Sequence, residues 1–244
     1  MQSAKFWHQF VVHRKKILMV LLLGLLFHQS RAQYNVYQDD VKYAKRNFHF
    51  GIALGVNFSN YKITLDSNYL VQNEILQVHA LTNPGFSLGI LASLHLSNSF
   101  EFRFIPDLSF ADRSIQYTIS TADSTPIKRI ESVYLEFPFN FKYRSKPYHD
   151  FRMYVLGGFK YSIDMQSNAQ ARLAENLVKV YRNDFAFEYG VGCEFHLPLV
   201  IIAPEIKVSY GLTNILKADD NLIYSSVLQG LRARCIMFSI HFEG

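Results

Sequence analysis

The stretch Val133-Tyr134-Leu135-Glu136-Phe137-Pro138-Phe139-Asn140-Phe141-Lys142-Tyr143 reads as two sequences interleaved. Val133, Leu135, Phe137, Phe139, Phe141 and Tyr143 are large and apolar, whereas the alternate positions carry Tyr134, Glu136, Asn140 and Lys142. A period of two is that of a β-strand whose faces meet different surroundings. The stretch is longer than the five or six residues usual in soluble strands and suits a tilted strand crossing a membrane.

The alternation recurs in seven other segments. Phe50 to Ser59, Phe86 to Leu96 and Phe100 to Phe110 precede it, and Phe151 to Ser162, Phe185 to His196, Ile202 to Leu212 and Leu231 to Phe242 follow. One face of each is rich in Phe, Tyr, Leu, Ile and Val. The other carries Gly, Ala and Ser with isolated charges. Small residues beside isolated charges suit a narrow interior in which ionised groups pair, and large aromatics suit lipid contact. A soluble lipocalin-like barrel would turn its large apolar side chains inward.

The connections alternate in length. Short turns lie at Ser97-Asn98-Ser99, at residues 145–150 and around Pro198, and longer stretches join the other pairs. The expected fold is therefore all-β: an eight-stranded antiparallel transmembrane β-barrel with short periplasmic turns and long extracellular loops. The even strand number places both termini in the periplasm of a Gram-negative outer membrane.

The composition agrees. Of 244 residues, 49% are hydrophobic and only 18% charged, which excludes a disordered chain. Two cysteines are too few for a disulfide scaffold or a thiolate zinc cluster. The net charge of +5 suggests nucleic acid until its location is considered. Residues 1–32 hold Lys5, Arg14, Lys15, Lys16 and Arg31 and no acid. The Ile17–Phe27 run and Ser30-Arg31-Ala32 complete a signal peptide expected to be cleaved between Ala32 and Gln33. Its removal takes 25 basic residues down to 20, equal to the 20 acids, and leaves no case for nucleic-acid binding. Residues 33–47 then form a periplasmic lead whose Tyr34, Tyr37 and Tyr43 are candidate docking residues, and residues 48–244 form the barrel. No cysteine follows the cleavage point, which argues against a lipoprotein anchor.

Pro106, Pro138 and Pro204 fall inside expected strands, where each removes a ladder donor, and bulges are expected there. Ile115, Tyr117 and Ile119 alternate with a parity opposite to Leu108 and Phe110, which a bulge near Arg113 would produce.

Candidate site residues are of three kinds. Glu101, Arg103, Asp107, Glu136, Lys142, Arg152, Lys160, Glu188, Glu194, Glu205, Lys207 and Arg234 are expected in the lumen as a paired charge network; the sharper alternative is an ion path or proton relay. Cys193 falls on the lipid face and Cys235 on the lumen face, so both are expected as free thiols. His79, with Asp66, Ser67 and Glu74, is the place where a hydrolase-like triad could be sought, but nothing in the spacing fixes one. No nucleotide, phosphate or metal motif is present, so no cofactor, metal or small-molecule substrate is expected. Residues 170–178 have helical character within the third long loop. The ending Phe238-Ser239-Ile240-His241-Phe242 is similar to the aromatic terminus that barrel-assembly machinery reads.

The Gln33 start, the His49–Phe58 strand, Pro84-Gly85-Phe86-Ser87-Leu88-Gly89, Tyr134-Leu135-Glu136-Phe137-Pro138 and Tyr189-Gly190-Val191-Gly192 together resemble the PorT family. These are eight-stranded outer-membrane barrels of the type IX secretion and gliding system of Bacteroidota. The resemblance spans the mature chain and carries no catalytic residue across. It implies a non-enzymatic component needed to export proteases and adhesins, with outer-membrane lipid and other type IX components as its partners. A filled eight-stranded lumen cannot pass a folded protein, so the implied role is accessory or assembly subunit rather than conduit. Two rival classes remain: an adhesin acting through its extracellular loops, and a lipid-modifying enzyme using His79.

Overall fold

A computed structural model describes residues 47–65, 75–119, 126–166, 178–217 and 227–244. The signal segment, the Ala32–Gln33 cleavage point, the tyrosine-bearing lead up to residue 46, Asp66, Ser67, Glu74 and loop residues 170–177 lie outside these residues.

Among the described residues nine strands are present: β1 Phe48–Leu65, β2 Ile75–His95, β3 Phe100–Phe104, β4 Asp107–Ile119, β5 Ile127–Arg144, β6 Phe151–Asp164, β7 Asn183–His196, β8 Ile201–Gly211 and β9 Leu228–Glu243. Their pairings are antiparallel and close into a ring, since β1 bonds β2 on one side and β9 on the other. Closure leaves no sheet edge with unpaired backbone groups, which lipid could not satisfy. β3 and β4 both lie between β2 and β5, so they are one stave interrupted at Ile105-Pro106. The barrel thus has the eight staves that the alternation predicts. The short turns gather at one end with Phe48 and Glu243, hereafter the turn end; the other is the loop end.

The prolines interrupt hydrogen bonds without shifting register. Ala92 faces Phe104 and Gly89 faces Asp107, so the count across Pro106 is equal on both strands. The Pro106 carbonyl still accepts the Ile90 N–H at 3.0 Å. Pro138 faces Lys160 and Pro204 faces Ile240 in unbroken runs. The expected bulges at these prolines are therefore absent, because a lost donor does not by itself insert a residue. Register shifts occur instead between Thr82 and Phe86, between Ile75 and Gln77, and at Thr64/Leu65. The first contains Pro84, a position where proline is tolerated.

The two faces exchange character along the strands. On β1, Phe48, Phe50, Ile52, Leu54, Val56 and Phe58 point outward and are exposed, while His49, Ala53, Asn57 and Ser59 are buried. Past Phe58 the outward positions become Asn60, Lys62 and Thr64, and the inward ones Tyr61, Ile63 and Leu65. The apolar part, Phe48 to Phe58, covers about 25 Å along a barrel axis at the usual strand tilt, the height of a lipid-facing band. Beyond it the same strands follow soluble logic, with apolar residues inside and polar residues outside.

This exchange accounts for two departures from expectation. β4 pairs β5 without interruption from Asp107 to Gln116, so no bulge occurs in β4 at Arg113. Ile115 and Tyr117 stay on the inward face, fully buried, because the interior itself has become apolar there; the Ile119 side chain lies outside the described residues. The strands also outrun the 10 to 14 residues expected, with 21 in β2 and 18 each in β1 and β5, because they continue beyond the lipid-facing band.

Candidate functional site: the barrel interior

Alternation aims one residue in two into the lumen, and the resulting charges form two tiers. In the tier nearer the turn end, the Arg103 guanidinium donates to Glu205 at 3.1 Å and to Glu243 at 2.8 Å, and lies 3.8 Å from Glu101. Lys142 pairs with Glu194 and sits 3.7 Å from Glu101, which Arg144 approaches at 3.4 Å. Tyr154 donates its hydroxyl to Glu205 at 2.9 Å, and its ring lies 4.2 Å from the Lys142 ammonium. Arg103 and Lys142 are wholly buried.

Glycine opens the room this tier needs. A Cβ on Gly192 would strike the Tyr154 phenol and the Pro204 carbonyl, so only glycine lets that phenol cross to Glu205. Arg152 is buried in the same region, opposite Glu194 across the β6–β7 pair.

The second tier lies further towards the loop end, from Glu194 to Glu188 along β7 and from Tyr154 to Lys160 along β6. Lys160 bonds Glu136 at 2.8 Å and reaches Glu188 at 3.4 Å; Lys207 meets Glu188 at 3.2 Å, and Asn140 donates to the same carboxylate at 3.3 Å. Asp107 is buried beside Glu136 on the neighbouring strand. Above it, Arg113 lies between the rings of Tyr61 and Tyr134, at 5.3 and 4.7 Å from their centroids.

At the loop end the lumen is stopped by an apolar cluster. Tyr61, Ile115, Tyr117, Ile130 and Leu231 on the strands pack with Val178, Val180, Ile215 and Leu216 from the incoming loops. A bridge between Val180 and Leu216 and a 2.9 Å bond from the Ile215 N–H to the Leu231 carbonyl fasten those loops into the mouth. Paired charges cannot be dragged apart cheaply in a low-dielectric space, and the apolar cap offers no polar route past them. Among the described residues, the two charge tiers and the apolar cluster follow one another along the lumen.

Eleven of the twelve charges expected in the lumen are buried inward-facing residues. Arg234 is the exception and requires correction. It shares parity with Ile236 and Phe238, faces outward, and lies over the outer-face Tyr210 ring, 4.8 Å from its centroid. The expectation follows the charge of Arg234 and not its parity, which differs from that of Ser239 and His241 and already places it with the outward stripe. Glu243, Arg144 and Tyr154 are tier members that the sequence reading leaves unassigned to the network. Glu243 shares the parity of Ser239 and His241, a signal that reveals it, and Arg144 continues that of Glu136 and Lys142.

Both cysteines are free, Cys235 being buried and Cys193 half-buried. His79 stands on the outside of β2, exposed, with its Nε2 3.3 Å from Gln77 Oε1. The acids and the serine considered with it lie outside the described residues. Among the described residues no group of three His, Cys, Asp or Glu side chains is placed to hold a metal ion.

A closed, lipid-faced antiparallel barrel with a charged interior defines an outer-membrane β-barrel protein. Residues 27–217 match the outer membrane protein beta-barrel domain, and the chain belongs to that family. Among solved structures, the outer membrane protein OprG from Pseudomonas aeruginosa is similar at 12% identity and a TM-score of 0.51, over 80% of this chain and 93% of that one. Neisserial surface protein A is similar at 11% identity and a TM-score of 0.41, over 79% and 95%. No curated protein matches the sequence. At these identities the likeness to OprG speaks for the fold alone.

Proposed function

We propose that this chain is a non-enzymatic, non-conducting component of the outer membrane that supports type IX secretion as an accessory or assembly subunit. The carrying observation is the filled interior. Among the described residues, two charge tiers and an apolar cap follow one another along the lumen, which supports reading the outside wall, the turns and the segments that leave the barrel as the working surfaces. The turn end faces the periplasm in this reading, and the lead with Tyr34, Tyr37 and Tyr43 docks there on larger secretion subunits. The link to type IX secretion comes from the PorT-like segments, of which Tyr134-Leu135-Glu136-Phe137-Pro138 also builds part of the upper charge tier. The signal segment 1–32 delivers the chain to the periplasm and is removed.

The test combines gene deletion with detergent extraction of tagged protein from native outer membranes. Loss of export of type IX substrates, with other type IX subunits co-purifying, is expected. Unchanged export after deletion, with the remaining subunits still assembled, overturns the proposal.

A further inference from the structure

The outer wall carries a feature that neither the filled lumen nor a secretion role requires. Just above the lipid-facing band on β1 and β9, Lys62 stands directly opposite Arg232, and Asn60 opposite Arg234. Like charges facing each other across an antiparallel pair are destabilising. Here three cations crowd one patch, and among the described residues none of them has a carboxylate partner. Arg234 donates to the Tyr210 hydroxyl at 2.8 Å, and the Lys62 ammonium lies 5.8 Å from the same ring. The Arg234 Nε is buried without a hydrogen-bond partner.

Directly below lies an apolar groove. Phe58, Ile236, Val208 and Tyr189 face one another in a single row across β1, β9, β8 and β7. The branched side chains of Ile236 and Val208 form a floor between two aromatic walls, and Tyr210 and Arg234 close the upper end of a space of about 380 Å³. A cationic head above an apolar trough, both on the lipid-facing side, is complementary to one kind of molecule.

We propose that this groove is a binding site for a phosphorylated lipid of the loop-end leaflet. Its phosphate would sit on Arg234, Arg232 and Lys62, and an acyl chain would lie along Val208 and Ile236. The phosphate supplies the missing counter-charge for the opposed Lys62 and Arg232, and the Arg234 fork suits two phosphate oxygens. The proposal does not depend on the secretion role.

The test is native mass spectrometry of the full chain released from micelles doped with phosphatidic acid, or with diacylglycerol of the same acyl chains. Wild type should retain phosphatidic acid at least about tenfold better, given roughly 1 kcal/mol per basic residue at a membrane surface. The Lys62→Gln/Arg232→Gln/Arg234→Gln variant should fall to the diacylglycerol level. Val208→Trp, which fills the groove and keeps the cations, should also lose the lipid. Heat-dependent gel mobility checks that each variant is folded. Equal retention of the two lipids, or retention unaffected by both variants, overturns the proposal. Inorganic phosphate that binds equally well and strips the lipid assigns the cations to a free anion, and overturns the lipid site too.

Discussion

The guanidinium of Arg103 on β3 holds Glu205 on β8 at 3.1 Å and Glu243 on β9 at 2.8 Å, tying one wall of the barrel to the opposite one. Both carboxylates are buried, and the cation between them is the chief compensation for the cost of burying them. Arg103→Met should therefore destabilise the barrel by about 3–5 kcal/mol. Adding Glu205→Gln and Glu243→Gln should recover much of that loss. Urea unfolding in micelles, followed by circular dichroism, measures both. A wild-type midpoint for the single variant would show that the tier is not holding the barrel together.

Gly192 makes room for the Tyr154 phenol. Gly192→Ala should displace that ring from Glu205 and cost roughly 1–3 kcal/mol through overpacking. Tyr154→Phe, which removes only the hydroxyl at 2.9 Å from Glu205, should cost about 1–3 kcal/mol by leaving a buried acceptor short of a donor. The same unfolding assay reads both, and stability unchanged in Gly192→Ala would contradict the close approach.

The apolar cap fastens loops into the mouth. Leu231→Ala removes a fully buried side chain from it and should cost about 2–5 kcal/mol locally. Because the charge tiers lie elsewhere, the loss should appear as faster proteolysis near residues 178–180 and 215–217 while the membrane-embedded strands stay resistant. Strands and loops cleaved at equal rates would contradict a separable cap.

Orientation is checked by labelling intact cells with a membrane-impermeant maleimide, in a background carrying Cys193→Ser and Cys235→Ser. Lys62→Cys at the loop end should react, and Leu199→Cys, exposed in the β7–β8 turn, should react only after the outer membrane is opened. The reverse pattern would place the turn end outside the cell.

Much of this architecture is legible in the residues. The period of two in Val133–Tyr143 identifies strands, and the short spacings at Ser97–Ser99 and Pro198 fix which neighbours form hairpins. What is not legible is where a strand leaves the lipid. Apolar parity suggests one lipid face throughout, yet at Ser59/Tyr61 on β1 and at Ala233/Cys235 on β9 the inward face changes character without any backbone irregularity. That feature suggests a bulge at Arg113, whereas Arg234 is misplaced because its charge points to the lumen while its parity, shared with Ile236, points outward. The prolines mislead for another reason: sequence reveals the missing N–H of Pro138 or Pro204 but not whether the opposite strand keeps count. Ion pairing across the lumen, such as Arg103 with Glu243, depends on closure and has no local signature.

The central claim is that the interior is filled and conducts nothing. Planar-bilayer recording on the purified full chain tests it most directly. The account predicts no steady conductance above the bare membrane at moderate voltage. A stable open-channel current from the folded wild-type barrel would contradict it, and would move the search for function from the outer surfaces back into the lumen.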